Sequence, residues 1–197
     1  MSYTCRNLNE IKKWLEDHLT DEKYIHSLGV MDISKMLAMK FGLDIEKAQV
    51  AGLLHDCAKN LSISEMKGLI EKENLNILPR ELAHAKVLHA PCGACLAQKM
   101  FGVCDSEILS AIRFHTIGKK DMTDFEKIIF IADKIELNTR KREIFDATFK
   151  CFEQKCGLDS AMCFLLGRTI KYLIDKKICI EPDTVEIYNH FVVATGE

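Results

Sequence analysis

Ala51-Gly-Leu-Leu-His-Asp-Cys-Ala-Lys59 puts an imidazole, a carboxylate and, three residues after the aspartate, a lysine into an apolar helical stretch. Burying such groups without partners is costly. A metal ion would compensate them, and the rest of the chain offers further donors in an ordered series. His26 precedes the pair; His89, His115 and Asp133 follow it.

Outward from this stretch the chain reads as helices. Period-2 alternation is nearly absent, and the 197 residues hold only three prolines and ten glycines. Asn7 or Asn9 can cap a helix through Ile11, Trp14 and Leu15, ending near Leu19. Asp21 is the expected cap of a second, closed by Phe41-Gly42, and Asp44 that of a third running to about Ala58. Ser62-x-x-Glu65 and Thr123-x-x-Glu126 have the form of capping boxes, the latter opening the helix that carries Asp133. Pro79 opens a segment to Leu88, Pro91 opens another ended by Phe101-Gly102, and Asp105 or Ser106 caps the helix ending at His115. Two or three further helices fill about 143–194, with Asp159 and Asp183 as expected caps. The fold class expected is all-α.

Composition narrows the function classes. A hydrophobic share of 48% supports one substantial core. With a formal net charge of −2 and no basic stripe, duplex nucleic acid is a poor partner. No apolar run reaches the about 18 residues of a membrane span, and no signal-peptide-like segment opens the chain, so a cytoplasmic location is expected. Nine cysteines are an odd, irregularly spaced set that reads as free thiols packed as small hydrophobes. Cys92-Gly-Ala-Cys95 lacks the second pair that a zinc ribbon needs.

The candidate ligands are His26, His55, Asp56, His89, His115 and Asp133. Each has a plain alternative: a satisfied core histidine for His26, an ion pair for Asp133. Together they form a nitrogen–oxygen set without thiolate, suited to Mn, Fe, Co, Ni or Zn. Six donors exceed the need of one ion that keeps positions open for substrate. They suit two ions, with Asp56 as the bridging carboxylate. His84, five residues before His89, is an alternative to it as ligand, or a substrate-facing residue. His18 reads as a surface residue near a helix end and His190 as structural.

The order His…His-Asp…His…His…Asp resembles that of the HD-domain metal-dependent phosphohydrolases with a dinuclear centre. Five segments extend the likeness to the YqeK-type bacterial HD proteins: Tyr24-Ile-His-Ser-Leu-Gly-Val30, the opening stretch, Leu88-His-Ala-Pro-Cys-Gly-Ala94, Ala111-Ile-Arg-Phe-His-Thr-Ile-Gly118 and Glu126-Lys-Ile-Ile-Phe-Ile-Ala-Asp133. Lys119 departs from an arginine usual there, and Lys134 and Glu136-Leu137 from a tyrosine and a Glu-Pro.

The resemblance implies one HD-domain helical bundle over 1–197, with a motif core at about 20–140 and C-terminal helices packed on it. It implies symmetrical hydrolysis of dinucleoside tetraphosphates, diadenosine tetraphosphate plus water giving two ADP, with two divalent transition-metal ions, iron foremost. Another HD phosphohydrolase acting on (deoxy)nucleotides or cyclic dinucleotides is the alternative, and a non-catalytic nucleotide- or metal-sensing module a further one. A small nucleotide is the expected partner, with no membrane; a homodimer is compatible. Asp56 and Lys59 are the expected catalytic residues, Lys59 holding a phosphate or attacking oxygen unless it only forms a salt bridge. Lys59, Arg113, Thr116, Gly118, Lys119 and Arg140 are the expected substrate-binding residues, with Arg142 a weaker candidate.

Overall fold

The helix α8 (Asp124–Ile135) decides how the chain packs, because it is apolar nearly all round: Phe125, Ile128, Ile129, Phe130, Ile131, Ala132 and Ile135 are all buried. Such a helix must be surrounded. In the computed structural model, which describes residues 3–83 and 85–196 (the side chains of Arg80 and Ala83 excepted), α8 is flanked by α2 (Asp21–Phe41), α3 (Ile45–Leu54), α7 (Ser106–Phe114) and α10 (Gly157–Asp175). Each large apolar side chain wholly buried there, such as Leu53, Ile112 or Phe130, contributes about 1.5–3 kcal/mol.

The remaining helices are α1 (Leu8–His18), α4 (Ile63–Lys72), the short α5 (Pro79–Ala83), α6 (His89–Phe101), α9 (Arg142–Cys151) and α11 (Pro182–Thr195), with a 3₁₀ turn at Ala85–Leu88 before α6. Among the described residues no strand occurs. The all-α expectation therefore holds. A smaller apolar cluster of Ala58, Met66, Leu88 and Cys92 fastens α4 to the start of α6. No helix of the described residues is long and apolar enough to cross a membrane.

The capping boxes form as read: Ser62 with Glu65, Thr123 with Glu126, and also Asn7 with Glu10. Asp44 and Asp105 accept from the first backbone N–H groups of α3 and α7. Several boundaries differ. Thr20, not Asp21, is the N-cap of α2, leaving Asp21 in the first turn, where its charge meets the helix dipole. Asp159 and Asp183 likewise sit inside the first turns of α10 and α11, whose N-caps are Cys156 and Glu181. Helix α6 opens at His89, two residues before Pro91, and α3 stops at Leu54, with 55–60 in successive turns.

Two glycines let α2 carry its neighbours at close range. A Cβ on Gly52 would lie 2.6 Å from Ser34 Oγ and 3.0 Å from Val30 O, so α3 can press on α2 only with glycine there. A Cβ on Gly29 would lie 2.5 Å from Glu136 Oε2, which keeps that carboxylate against α2. Cys92 and Cys95 are buried on α6 as apolar packing, with burial pushing the Cys92 thiol up to about 11. His18 is exposed as read; His190 is exposed too, contrary to a structural role, because its face of α11 points outward.

Candidate metal centre

Four helix ends and one helix middle meet at a point. His55 is the C-cap of α3, His115 the C-cap of α7, and His89 the first residue of α6 after the 3₁₀ turn. The last carbonyls of a helix lack intrahelical partners. All three histidines exploit this by donating Nδ1–H to the carbonyl three residues back: His55 to Gly52 at 2.7 Å, His89 to Lys86 at 2.6 Å and His115 to Ile112 at 2.7 Å. Each ring is thereby fixed with Nε2 pointing inward.

His26 stands mid-helix, where its own carbonyls are occupied. A carboxylate orients this ring instead, with Nδ1 lying 3.0 Å from Glu136 Oε1. Glu136 also accepts from Asn138 N at 2.6 Å and from Thr139 N, and the Thr139 hydroxyl donates to it as well. Only a carboxylate has acceptor sites for all of these. Glu136→Gln is therefore expected to lower metal affinity by about 10–100-fold with the fold intact. Metal retained against a competing chelator, alongside a circular dichroism melt, checks it.

The inward groups form two clusters that share Asp56. Asp56 Oδ1 lies 3.1 Å from His89 Nε2 and 3.3 Å from His115 Nε2; Oδ2 lies 3.5 Å from His55 Nε2 and 3.9 Å from His26 Nε2. Asp133 Oδ1 completes the first cluster, 3.0 Å from His26 Nε2 and 3.8 Å from His55 Nε2. His26, His55, Asp56, His89 and His115 are all buried.

Electrostatics prepares these groups as ligands. Burial by itself would raise Asp56, but the imidazoles of His55, His115 and His89 hold its carboxyl well below the usual range. Burial would likewise raise Asp133, and Lys134 and His26 keep it ionised. Burial pushes His115 down to about 4, so its ring is neutral. In His26 burial is outweighed by Asp133 and Glu136, which raise it to about 9, so that a proton, or a metal ion in its place, is favoured at Nε2. His89 and His115 present Nε2 atoms 3.3 Å apart with both Nδ1 hydrogens turned outward. With the hydrogen on Nδ1, each Nε2 turns its lone pair toward Asp56 Oδ1, the arrangement of a ligand set. The donor set therefore fits divalent metal ions.

Around the clusters the structure sorts the other expected residues. Lys59 Nζ reaches 2.9 Å from His89 Nε2 and 3.2 Å from Asp56 Oδ1. Thr116 Oγ1 lies 2.9 Å from His115 Nε2, and Arg140 Nη2 lies 3.3 Å from Asp133 Oδ1. Arg113, Gly118, Lys119 and Arg142 are not brought to the centre. Arg113 pairs with the buried Glu81 at 2.9 Å, Arg142 with Asp146, and Gly118 occupies a turn at φ 70°. Lys119 Nζ lies 2.7 Å from Oε1 of buried Glu126 and also donates to Ser110. Lys119→Ala should thus cost about 1–3 kcal/mol of stability by stranding a buried carboxylate. A thermal melt and steady-state rates should show a lower Tm with kcat nearly unchanged. His84 lies outside the described residues.

Two residues at the centre carry no role in the sequence reading. Glu136 orients His26. Lys134 Nζ lies 3.2 Å from Asp133 Oδ2, 3.1 Å from the His115 carbonyl and 3.6 Å from the centre of the Phe130 ring. Burial lowers its pKa, partly offset by Asp133. The signal available was position: both follow Asp133 within three residues. An open cleft of about 190 Å³ bordered by His26, Asp56, Lys59 and Arg140 leads onto the first cluster.

A helical bundle that gathers four imidazoles and the Asp133 carboxylate around one shared aspartate, Asp56, has the architecture of a hydrolase of the HD type. The HD domain model matches residues 24–138, and the chain belongs to that family. It is 38% identical to a symmetrical bis(5'-nucleosyl)-tetraphosphatase from Halalkalibacterium halodurans, covering 95% of this chain and 98% of the relative. The Bacillus subtilis protein of the same name is 38% identical over 94% of this chain and 98% of its own. A crystal structure of a predicted HD superfamily hydrolase involved in NAD metabolism from Clostridium acetobutylicum superposes with a TM-score of 0.87 at 35% identity, covering 96% of this chain and 98% of that one.

Proposed function

We propose that this chain is a symmetrical bis(5'-nucleosyl)-tetraphosphatase, hydrolysing diadenosine tetraphosphate with one water to two ADP. The observation that carries the reading is Asp56, whose two oxygens face two separate imidazole pairs, joined to near full-length likeness to enzymes of that name. Two donor clusters about one carboxylate support attack on a phosphoanhydride, and the likeness to those enzymes supports the central one.

His26, His55, Asp56 and Asp133 would hold one divalent ion, and Asp56, His89 and His115 the other. Ions so held lower the pKa of water and neutralise phosphoryl oxygens. Iron is the resident proposed among Fe, Mn, Co, Ni and Zn; the donors are nitrogen and oxygen only, and the thiol of Cys57 turns away to Gly93 O. The protein's own cations surround the clusters. Lys59 is half-buried and places an ammonium where phosphoryl charge accumulates. Arg140 and Lys134 add charge on the Asp133 side, and Thr116 offers a hydroxyl on the other. We place the enzyme in the cytoplasm, where its nine free thiols stay reduced.

The test is direct. Purified protein loaded with iron or manganese under reducing conditions is given diadenosine tetraphosphate, deoxynucleoside triphosphates and cyclic dinucleotides, and products are separated by ion exchange. ADP as the main product from the first substrate, with slower turnover of the others, is expected. AMP with ATP, or preference for another substrate, sinks the reading.

A further inference from the structure

The C-terminal helices, to which the sequence gives no motif, enclose a cavity beside the metal centre. Two cavities lie back to back there, both touching Thr169 of α10. The first, about 360 Å³, is open and lined by Asp133, Lys134, Arg140 and Arg168, with Tyr172 at its side. The second, about 250 Å³, is more enclosed and largely apolar. Lys134 Nζ rests on the Phe130 ring, so this pair stands between them, Lys134 lining the first and Phe130 the second.

The second cavity adjoins the His89–His115 cluster through Thr116, which lines it while its Oγ1 lies 2.9 Å from His115 Nε2. Leu166 and Phe130 form a buried floor, Leu173 is half-buried above them, and Ile178 and Cys179 form an exposed rim. Hydroxyls of Thr169 and Thr184 and the Glu181 carboxylate interrupt the apolar wall. An apolar slot with a few polar groups is what a nucleoside needs: flat apolar faces with hydrogen-bonding edges. The volume is just below the roughly 300–1,000 Å³ of sites for whole drug-sized ligands, which suits one nucleoside rather than a whole dinucleotide. The cationic first cavity suits phosphate.

We propose that the cavity walled by Thr116, Phe130, Leu166, Leu173, Ile178 and Cys179 is a nucleoside subsite that holds one half of the substrate. It rests on the proposed activity. It also makes the two halves of a symmetrical substrate unequal: one nucleoside enters an apolar slot, the other lies over the cationic cleft. The discrimination between nucleotides and bare polyphosphates then resides largely in α10 and the turn before α11, joined by Thr116 and Phe130 from the metal-binding segments.

The test uses the full-length, metal-loaded protein, with ADP and inorganic pyrophosphate as probes, each first titrated to saturation by calorimetry. Cys179 is exposed on the rim, and Cys5 and Cys104 are exposed elsewhere. Alkylation by iodoacetamide, read peptide by peptide by mass spectrometry, should slow at Cys179 by about fivefold or more with ADP and not with pyrophosphate. The other two thiols serve as references. Leu173→Trp, which fills the slot, should weaken ADP about tenfold and leave pyrophosphate within about twofold. Equal Cys179 rates with and without ADP overturn the proposal, as does a Leu173→Trp protein that loses both probes alike. Turnover of diadenosine tetraphosphate with an unprotected Cys179 removes the subsite and keeps the activity. Protection without turnover removes the activity and keeps the subsite.

Discussion

Asp56→Asn is expected to cut turnover of diadenosine tetraphosphate by at least about 10³-fold. The change keeps the shape of the side chain and removes the charge and one of its two acceptor oxygens. Asp56 Oδ1 serves the His89–His115 pair and Oδ2 the His26–His55 pair. An amide can present its oxygen to only one of them, and its NH₂ would face imidazole nitrogens or a metal on the other side. Metal content, measured after gel filtration by atomic emission, should fall from about two ions per chain to one or fewer. Far-ultraviolet circular dichroism should be unchanged, because Asp56 lies in the turns after α3 and supports no helix cap. A variant that kept full metal and lost only rate would remove the bridging role.

Lys59→Ala should lower kcat by about 10²–10³-fold, the usual loss when one preorganised group facing transition-state charge is deleted. Its ammonium lies 3.2 Å from Asp56 Oδ1 and 2.9 Å from His89 Nε2, at the edge of the second cluster. With His89 Nε2 given to a metal ion, the ammonium keeps Asp56 and has donors left for a phosphoryl oxygen. Lys59→Arg should rescue little, since a planar fork does not fit a point-charge position. Were Lys59 only a salt bridge, the variant would melt earlier and turn over normally. Steady-state kcat and KM beside a thermal melt separate the two outcomes.

Much of the centre was legible because its members are anomalies in apolar surroundings. His55, Asp56, His89 and Asp133 interrupt runs of small or aliphatic residues and His115 ends an Ala-Ile-Arg-Phe run; the structure buries the four residues other than Asp133 and sets Asp133 Oδ1 3.0 Å from His26 Nε2. Lys119 and Arg113 lie elsewhere than the expected phosphate position. Their closeness in sequence to His115 suggested the phosphate, yet α7 and the turn after it point them at the buried carboxylates Glu126 and Glu81. Neighbours along a helix diverge by about 100° per residue, so proximity in sequence places them on different faces. Helix starts at Thr20, Cys156 and Glu181 were misplaced by one to three residues because an aspartate in the first turn satisfies the dipole nearly as well as one at the cap.

The amino-acid sequence alone determined the helical class, the capping boxes and the ordered set of six donors. These depend on local periodicity and on residue chemistry, which no neighbour can change. Tertiary structure alone decided the second tier. The choice of Glu136 as the partner of His26 spans 110 residues. The selection of Lys59, Thr116 and Arg140 over Lys119 and Arg113 at the centre rests on helix rotation. The cavity beside Thr116 exists only because α10 and the turn before α11 lie against α8. Such features are set by packing of distant segments, and the sequence carries them only as apolar faces whose partners it does not name.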